Sequence, residues 1–265
     1  MLQHDNETIR PESMTLATAA GVSQSALTQP TPPRERHIVT GTSARGTTYA
    51  ARLAVSAKVR EDAYRLRYRS YLAGGFIREN PAGLFHDHYD DMANADTVVL
   101  YSDEVPIASV RVCLLERGTN YTSPAMDTFP EEVGALLNAR PNDAFAGRAI
   151  EVTRLVRSPE AENNQGLIFL LYRLAGYIAL CHHTQIFLAC VRSNHAPFYK
   201  RLGYSAASEP KPYPGLSCKM LLMASDRRRY DQIRLKVPMM DPMGDTTHNL
   251  EGFYKGEPVW LTLTR

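Results

Sequence analysis

The run from Gly166 to His183, GLIFLLYRLAGYIALCHH, is apolar on almost every side. A helix of that kind has no face to give to water, so it belongs in the interior of a domain. It is bracketed by two segments of strand length. IEVTRLVRSPE (Ile150 to Glu160) precedes it, and QIFLACV (Gln185 to Val191), a continuous apolar run of the buried-strand kind, follows it. A chain of 265 residues, 44% hydrophobic and 22% charged, is long enough to bury such a unit.

The first of these strands contains a contradiction. Successive side chains on a strand point to opposite faces. Ile150, Val152, Arg154 and Val156 then share one face, and Glu151, Thr153 and Leu155 the other. A charge falls on each face of a strand that reads as central. Either one face is wet, or a bulge brings the charges together, or they serve a site.

The rest of the chain interleaves strands and helices without an even rhythm or an internal repeat, which predicts a mixed α/β sheet. Residues 1–48 are rich in Thr, Ser, Ala, Gln and Pro and show no sustained period, so a disordered leader is expected there. The folded domain is expected over 49–225. It opens with a strand, YAARLAVSA, and a helix over Val59 to Ala73 that carries Tyr64, Tyr68, Tyr71 and Leu72 on one stripe and is stopped by Gly74 and Gly75. Two strands follow around a turn at Ser102 to Glu104, then a longer insertion with a short helix at about Pro130 to Asn138. After the apolar unit come a short helix in NHAPFYKRLGY and a last strand in SCKMLLMAS. Residues 226–265 read as a C-terminal extension, basic at first (DRRRYDQIRLK), then irregular, with a final strand-like VWLTLTR.

Several function classes are disfavoured. A formal net charge of +2 argues against nucleic-acid binding by bulk charge. Cys113, Cys181, Cys190 and Cys218 form no CxxC pair and suit a reducing compartment. No signal-peptide core and no apolar run of membrane length (about 18 residues) is visible, so a cytoplasmic protein without a transmembrane segment is expected. GxSxG and GxGxxG are both absent. HDHYDD (His86 to Asp91) contains metal-ligand types, but one cluster alone does not make a site, and no metal is expected. NNQGL (Asn163 to Leu167) opens the apolar helix; its amides suit a phosphate or a polar amide chain, and plain helix entry explains them as well.

What remains is a set of charges at the ends of apolar segments: Arg67, Asp87, Asp90, Arg111, Glu151 and Arg154. Charges inside strands are costly unless paired. With three acids and three arginines the set is able to neutralise itself as a structural network, or to form a site.

These residues resemble the signatures of two related families of GNAT-fold acyltransferases, the acyl-homoserine-lactone (autoinducer) synthases and the long-chain N-acyl amino acid synthases. YRLRYRSY is similar to their first-helix arginine and aromatic (Arg67, Tyr71), and HDHYD to their D-x-x-D (Asp87, Asp90). ASVRV is similar to G-x-x-R, with Ala108 in the glycine position and Arg111 in the arginine position, and EVTRL to the E-[LVI]-[ST]-R strand (Glu151, Arg154). NHAPFYKRLGY resembles the N-x-A-x-x-Y-x-x-x-G-[FY] segment of GNAT enzymes, and the resemblance extends over about Tyr49 to Ser225. The autoinducer synthases carry a tryptophan shortly after the first-helix aromatic, where this chain has Phe76 and Ile77; its single tryptophan is Trp260. That departure, the leader and the insertion favour the N-acyl amino acid synthase branch.

The resemblance implies a GNAT-like fold, a mixed central sheet splayed at the central strand and flanked by helices, and an N-acyltransferase that moves a long-chain fatty acyl group from acyl carrier protein to the α-amine of an amino acid. It implies no tightly bound cofactor; the co-substrate is an acyl-phosphopantetheine thioester, on acyl carrier protein or coenzyme A. Glu151, Arg154 and Tyr199 become the candidate catalytic residues, with Glu151 as base through a water and Tyr199 as the donor to the leaving thiolate. Arg67, Tyr71, Phe76, Asp87, Asp90 and Arg111 become the candidate acceptor site, an arginine fork suiting a carboxylate and the aspartates an ammonium. Leu155, Val156, Arg157, Gln165 and Gly166 would face the pantetheine arm, with an oxyanion-binding N–H near Leu155 to Arg157. Lys200, Arg201, Arg227, Arg228 and Arg229 form a candidate docking patch for the acidic carrier protein. The alternatives are an autoinducer synthase using S-adenosylmethionine and a GNAT-like module that binds an acyl chain or carrier protein without turnover.

Overall fold

A computed structural model of the chain describes residues 46–139 and 147–263. The expected leader, up to residue 45, lies outside the described residues, as does the end of the insertion.

β1 (Thr47–Leu53) leads into α1 (Ala57–Ala73), whose first turn is capped by Ser56: extended at φ −96°, it accepts a hydrogen bond from Val59 N. β2 (Ala95–Ser102) and β3 (Val105–Glu116) are joined by Asp103 and Glu104, both at positive φ (48° and 62°), the two-residue turn whose twist suits a hairpin. α2 (Pro124–Thr128) and α3 (Pro130–Asn138) each begin on a proline. β4 (Arg148–Arg157), α4 (Gly166–Cys181) and β5 (Ile186–Val191) form the apolar unit, followed by α5 (Ala196–Arg201). β6 (Ser205–Ala206), β7 (Lys211–Pro212), β8 (Lys219–Asp226), α6 (Arg227–Lys236), β9 (Thr247–His248) and β10 (Val259–Leu263) complete the chain.

The strand order is β6-β8-β5-β4-β3-β2-β1-β10-β9, with β7 pairing a separate part of β8. α4 lies on one face, where Ile150, Val152 and Phe187 pack against Leu170, Leu171 and Leu174, all three leucines fully buried. Truncating one of them to alanine would cost roughly 2–5 kcal/mol. On the opposite face α1 packs Ala63 against Val99 and Tyr101, and α3 packs Val133 and Leu137 beside Leu188.

β4 and β5 are parallel and share three rungs, ending at Glu151↔Leu188. Beyond that rung β4 continues along β3 to Arg157, while β5 continues along β8 to Val191. The sheet therefore splays at its centre.

Residues 227–263, expected as an extension with an irregular middle, are structured: α6 is a helix and β10 pairs along β1 from Thr47↔Leu263 to Ala51↔Val259. α6 is hard to read in the sequence because charge dominates its composition; only Tyr230 is buried. The segment is fastened to α4 by Arg173, which is 1% exposed. Its Nε donates to Met239 O (2.8 Å), Nη1 to Thr246 Oγ1 (2.8 Å) and Thr247 Oγ1 (3.1 Å), and Nη2 to Pro238 O (3.2 Å).

Candidate active site

The contradiction in β4 is resolved by a bulge. Between the rungs Ser109↔Val156 and Arg111↔Thr153, the single residue Val110 of β3 faces both Arg154 and Leu155 of β4. Arg154 takes the left-handed conformation, φ +51°, which costs a side-chain-bearing residue about 1–2 kcal/mol. The extra residue inverts the alternation. Leu155 packs with the cluster of Ile150 and Val152, and Arg154 joins the face of Glu151 and Thr153.

On that face the charges form a cage. Asp87 and Asp90 stand at the start of a single 3-10 turn, His88–Asp91, in which Asp87 Oδ1 accepts from Tyr89 N and Asp90 Oδ2 accepts from Asp87 N at 3.1 Å. The His/Asp run is thus a capping device that aims two carboxylates at arginines. Arg67 Nη1 lies 2.7 Å from Asp90 Oδ1, with its Nη2 donating to Thr97 Oγ1 at 3.0 Å. Arg111 Nη1 reaches both aspartates, at 2.5 Å from Asp87 Oδ1 and 3.0 Å from Asp90 Oδ1. Arg154 Nη2 donates to Asp87 Oδ2 at 2.7 Å and to Pro214 O at 3.0 Å. Burial alone would raise the Asp87 carboxyl, but Arg111 and Arg154 outweigh it and hold it at about 2. Asp90 is likewise lowered, burial being overcome by Arg67 and Arg111.

The cage is not neutral. Arg67, Arg111 and Arg154 set three positive charges against the two of Asp87 and Asp90. Arg154 is 4% exposed yet keeps two nitrogens, Nε and Nη1, without a hydrogen-bond partner among the described residues; Arg67 and Arg111 keep one each. Its guanidinium sits 4.9 Å from the Phe85 ring, 5.8 Å from Tyr213 and 6.0 Å from Tyr71. Phe85 and Tyr71 meet edge to face at 5.0 Å. A buried arginine with unspent donors inside an aromatic box fits a small ligand that carries an anionic group and an apolar body.

Glu151 lies outside the cage and bonds to none of its three arginines. Fully buried, it accepts from Tyr213 OH at 2.6 Å through Oε1 and from Ala125 N, in the first turn of α2, at 2.8 Å through Oε2. Tyr213 links the two groups: its hydroxyl holds Glu151 and lies 3.2 Å from Thr153 Oγ1, while its ring flanks Arg154. Tyr213 and Phe85 are site residues that the sequence patterns do not single out. Their signal was slight, an aromatic between two prolines in KPYPG and another before HDHYDD.

Of the remaining predicted residues, Leu155, Val156 and Arg157 line the splay, whereas Gly166 lies against β10, on the far side of β1. Val156 is buried and Leu155 and Arg157 are half-buried on β4 past the last β5 rung. Tyr199, on α5, has its ring 6.2 Å from Tyr172 and 5.5 Å from Tyr204, and burial raises its phenol. Phe76 sits under the Arg192 guanidinium, 4.6 Å away, at the end of β5. Gln165 caps α4 without a side-chain hydrogen bond, and a Cβ at Gly166 would meet Leu263 of β10, so close packing explains that glycine. Among the described residues no helix is long and apolar enough to cross a membrane.

A family model described as N-acyl amino acid synthase FeeM matches residues 62–226. Among solved structures, the N-acyl amino acid synthase FeeM from uncultured soil microbes superposes with a TM-score of 0.57 at 19% identity, over 74% of this chain and 100% of that one. The CoA-dependent acyl-homoserine lactone synthase BjaI superposes at 0.52 with 14% identity (72% and 90% covered), and the AHL synthase LasI at 0.51 with 13% (69% and 91%). These likenesses place the fold with the GNAT-like acyltransferases and acyl-homoserine lactone synthases. No curated protein matches the chain in sequence.

Proposed function

The chain belongs to the N-acyl amino acid synthase FeeM family and is an acyltransferase, and on that premise we propose that it transfers a long fatty acyl group from acyl carrier protein to the α-amine of an amino acid. The observation that carries the acceptor assignment is Arg154. Its unpartnered Nε and Nη1 are the donors for the acceptor carboxylate, which neutralises the surplus charge of the cage. Phe85, Tyr71 and Tyr213 pack the acceptor's body, and Asp87, whose side chain is 20% exposed, faces its ammonium. Arg67, Asp90 and Arg111 are positioning residues that fix Asp87 and Arg154.

The thioester enters the splay between β4 and β5, its pantetheine arm running along Leu155, Val156 and Arg157. Once its ammonium has lost one proton to solvent, the acceptor nitrogen attacks the thioester carbon, and a backbone N–H of that stretch holds the oxyanion; such a donor is commonly worth about 3 kcal/mol of barrier. The amine proton passes through the Tyr213 hydroxyl to Glu151, rather than through a water alone, because Tyr213 already holds that carboxylate. The C–S bond breaks, and the thiolate takes a proton from Tyr199, whose raised phenol is protonated at neutral pH. The products are an N-acyl amino acid and a free thiol. A carrier-protein donor is supported by exposed Lys200 and Arg201 at the end of α5, beside exposed Arg228 and Arg229 on α6.

The test is to supply acyl donors on carrier protein and on coenzyme A, together with a mixture of amino acids and S-adenosylmethionine, and to read the lipid extract by mass spectrometry. N-acyl amino acids are expected, formed faster from the carrier protein. A homoserine lactone as the only product, or no transfer, would overturn the reading.

A further inference from the structure

The insertion between β3 and β4 contributes α2 and α3, and both donors to Glu151 are attached to it. The first N–H groups of a helix have no acceptor within that helix. In α2 the N-cap Ser123 accepts from Met126 N, and Ala125 N is left to donate to Glu151 Oε2 at 2.8 Å. The other donor, Tyr213 OH, is reached through α3. Phe129, fully buried between the two helices, lies under the Lys211 ammonium at 5.0 Å, and Lys211 Nζ is 3.0 Å from Glu132 Oε1 in the first turn of α3. Lys211 opens β7, and Tyr213 directly follows that strand.

A helix of five residues does not hold its own shape in water, so the place of α2 is set by its attachments. Ala125 and Phe129 are buried with Leu115 and Ala149 of the sheet. Asp127 ties the helix to the cage: its Oδ2 accepts from Tyr89 OH at 2.5 Å and its Oδ1 from Thr122 Oγ1 at 2.6 Å. Asn94, just past the 3-10 turn, adds a bond from its Nδ2 to Thr122 O at 2.9 Å. Tyr89 is buried in that turn between Asp87 and Asp90, with its ring 5.4 Å from the Arg111 guanidinium. Burial and Asp127 raise its phenol, which therefore stays a donor. A line of contacts thus runs from the aspartates through Tyr89, Asp127 and Ala125 to Glu151.

We propose that the insertion positions the general base, with Tyr89 acting on Glu151 through Asp127 and the Ala125 N–H, and Lys211 acting on it through Tyr213. The assignment rests on the reading of Glu151 as that base. A carboxylate with a donor on each oxygen keeps one orientation, and here each donor is fixed by a different helix of the insertion. The turn that carries Asp87 is fastened to the same helix that holds Glu151, so the group facing the acceptor ammonium and the group taking its proton are set by one unit. Misplacing either would lower the rate without removing a contact to the acceptor. Tyr89 and Lys211 are positioning residues on this account, and neither touches the reacting atoms.

The experiment is a double-mutant cycle on the full chain, reading kcat and KM for acyl transfer. Tyr89→Phe keeps the ring on Arg111 and removes only the hydroxyl; it should lower kcat by about tenfold, with the amino-acid KM and the melting temperature near their wild-type values. Lys211→Met, which keeps an aliphatic stem over Phe129, should lower kcat similarly. In a Glu151→Gln background neither substitution should reduce the residual rate further, because a residue that acts only through Glu151 has nothing left to position. Asp127→Asn, which retains an acceptor oxygen, should keep more activity than Asp127→Ala. The Ala125 amide resonance reports the same contact without turnover, and should shift in both Glu151→Gln and Tyr89→Phe. Wild-type kcat in Tyr89→Phe and Lys211→Met, losses that add in full to that of Glu151→Gln, or an Ala125 amide unmoved in Tyr89→Phe would overturn the proposal. A Glu151→Gln enzyme with wild-type kcat, in a protein whose Ala125 amide still shifts in Tyr89→Phe, would support the attachment and overturn the base assignment instead.

Discussion

Arg154 and Arg173 are both buried arginines inside the same domain, 4% and 1% exposed, and they are treated in opposite ways. Arg173 has neutral acceptors on all three of its nitrogens, two carbonyls and two threonine hydroxyls. Arg154 stands on a strained bulge and spends one nitrogen, leaving two unpartnered among the described residues. A buried donor left unsatisfied costs more than a satisfied one gains, so its persistence points to a use outside the fold. Arg173 is what a structural arginine looks like here. On the proposed reading, Arg154 is pre-organised for a ligand.

Glu151 is the hardest case for that distinction. Both its oxygens are bonded by neutral donors, as the nitrogens of Arg173 are by neutral acceptors, and on satisfaction alone it would be structural. What links it to the proposed chemistry is the Tyr213 hydroxyl, which connects it to the Arg154 face. Glu151→Gln should therefore lower kcat by roughly 10²–10⁴-fold while the melting temperature changes little. A large stability loss with activity retained would put Glu151 beside Arg173.

Arg154→Gln should reduce kcat/KM for the amino acid by about 10²–10³-fold, the loss typical of a buried charge-assisted contact, and leave the acyl-donor KM near its wild-type value. Arg173→Met should do the reverse. It frees two carbonyls and two hydroxyls, and should cost about 3 kcal/mol in denaturant unfolding with the amino-acid KM unchanged. If both variants lost stability and neither changed KM, the distinction would collapse.

A smaller effect separates the two arginines by pH. Asp87 is depressed to about 2 in the folded chain, against roughly 3.9 when unfolded. The stabilisation it represents, about 2.6 kcal/mol, is complete above about pH 5 and is lost as pH falls through 2. Arg154→Gln removes one of the two arginines that lower the carboxyl, so the loss should shrink and the Asp87 titration, followed by NMR, should move upward. Arg173 bonds to no carboxylate, and its variant should show the wild-type acid profile.

The sequence revealed the site's members more readily than their relations. The six charges at the ends of apolar segments were legible because buried charge is rare, and the helices and strands around them because their apolar periods are strong. The two faces of β4 could not be reconciled from its residues, since a bulge depends on the register against β3, a long-range property. Glu151 and Arg154 were expected to converge, and they do share a face, but through Tyr213, which arrives from a turn after β7 with only two prolines to mark it. The run HDHYDD was read for its ligand types; its backbone geometry, a capped 3-10 turn, is what orients the aspartates. The segment after residue 226 looked like a tail because its charge hides a single inward tyrosine per helix, while its strand β10 needed β1 as a partner to be recognised.

The most direct test compares an amino acid with the amine made by removing its carboxyl group, as acceptors for the wild type and for Arg154→Gln. If Arg154 receives the acceptor carboxylate, the wild type should favour the amino acid by about 100-fold or more in kcat/KM, and the variant should use the two nearly equally. A wild type indifferent to the carboxylate, or a preference that survives in the variant, would contradict the account.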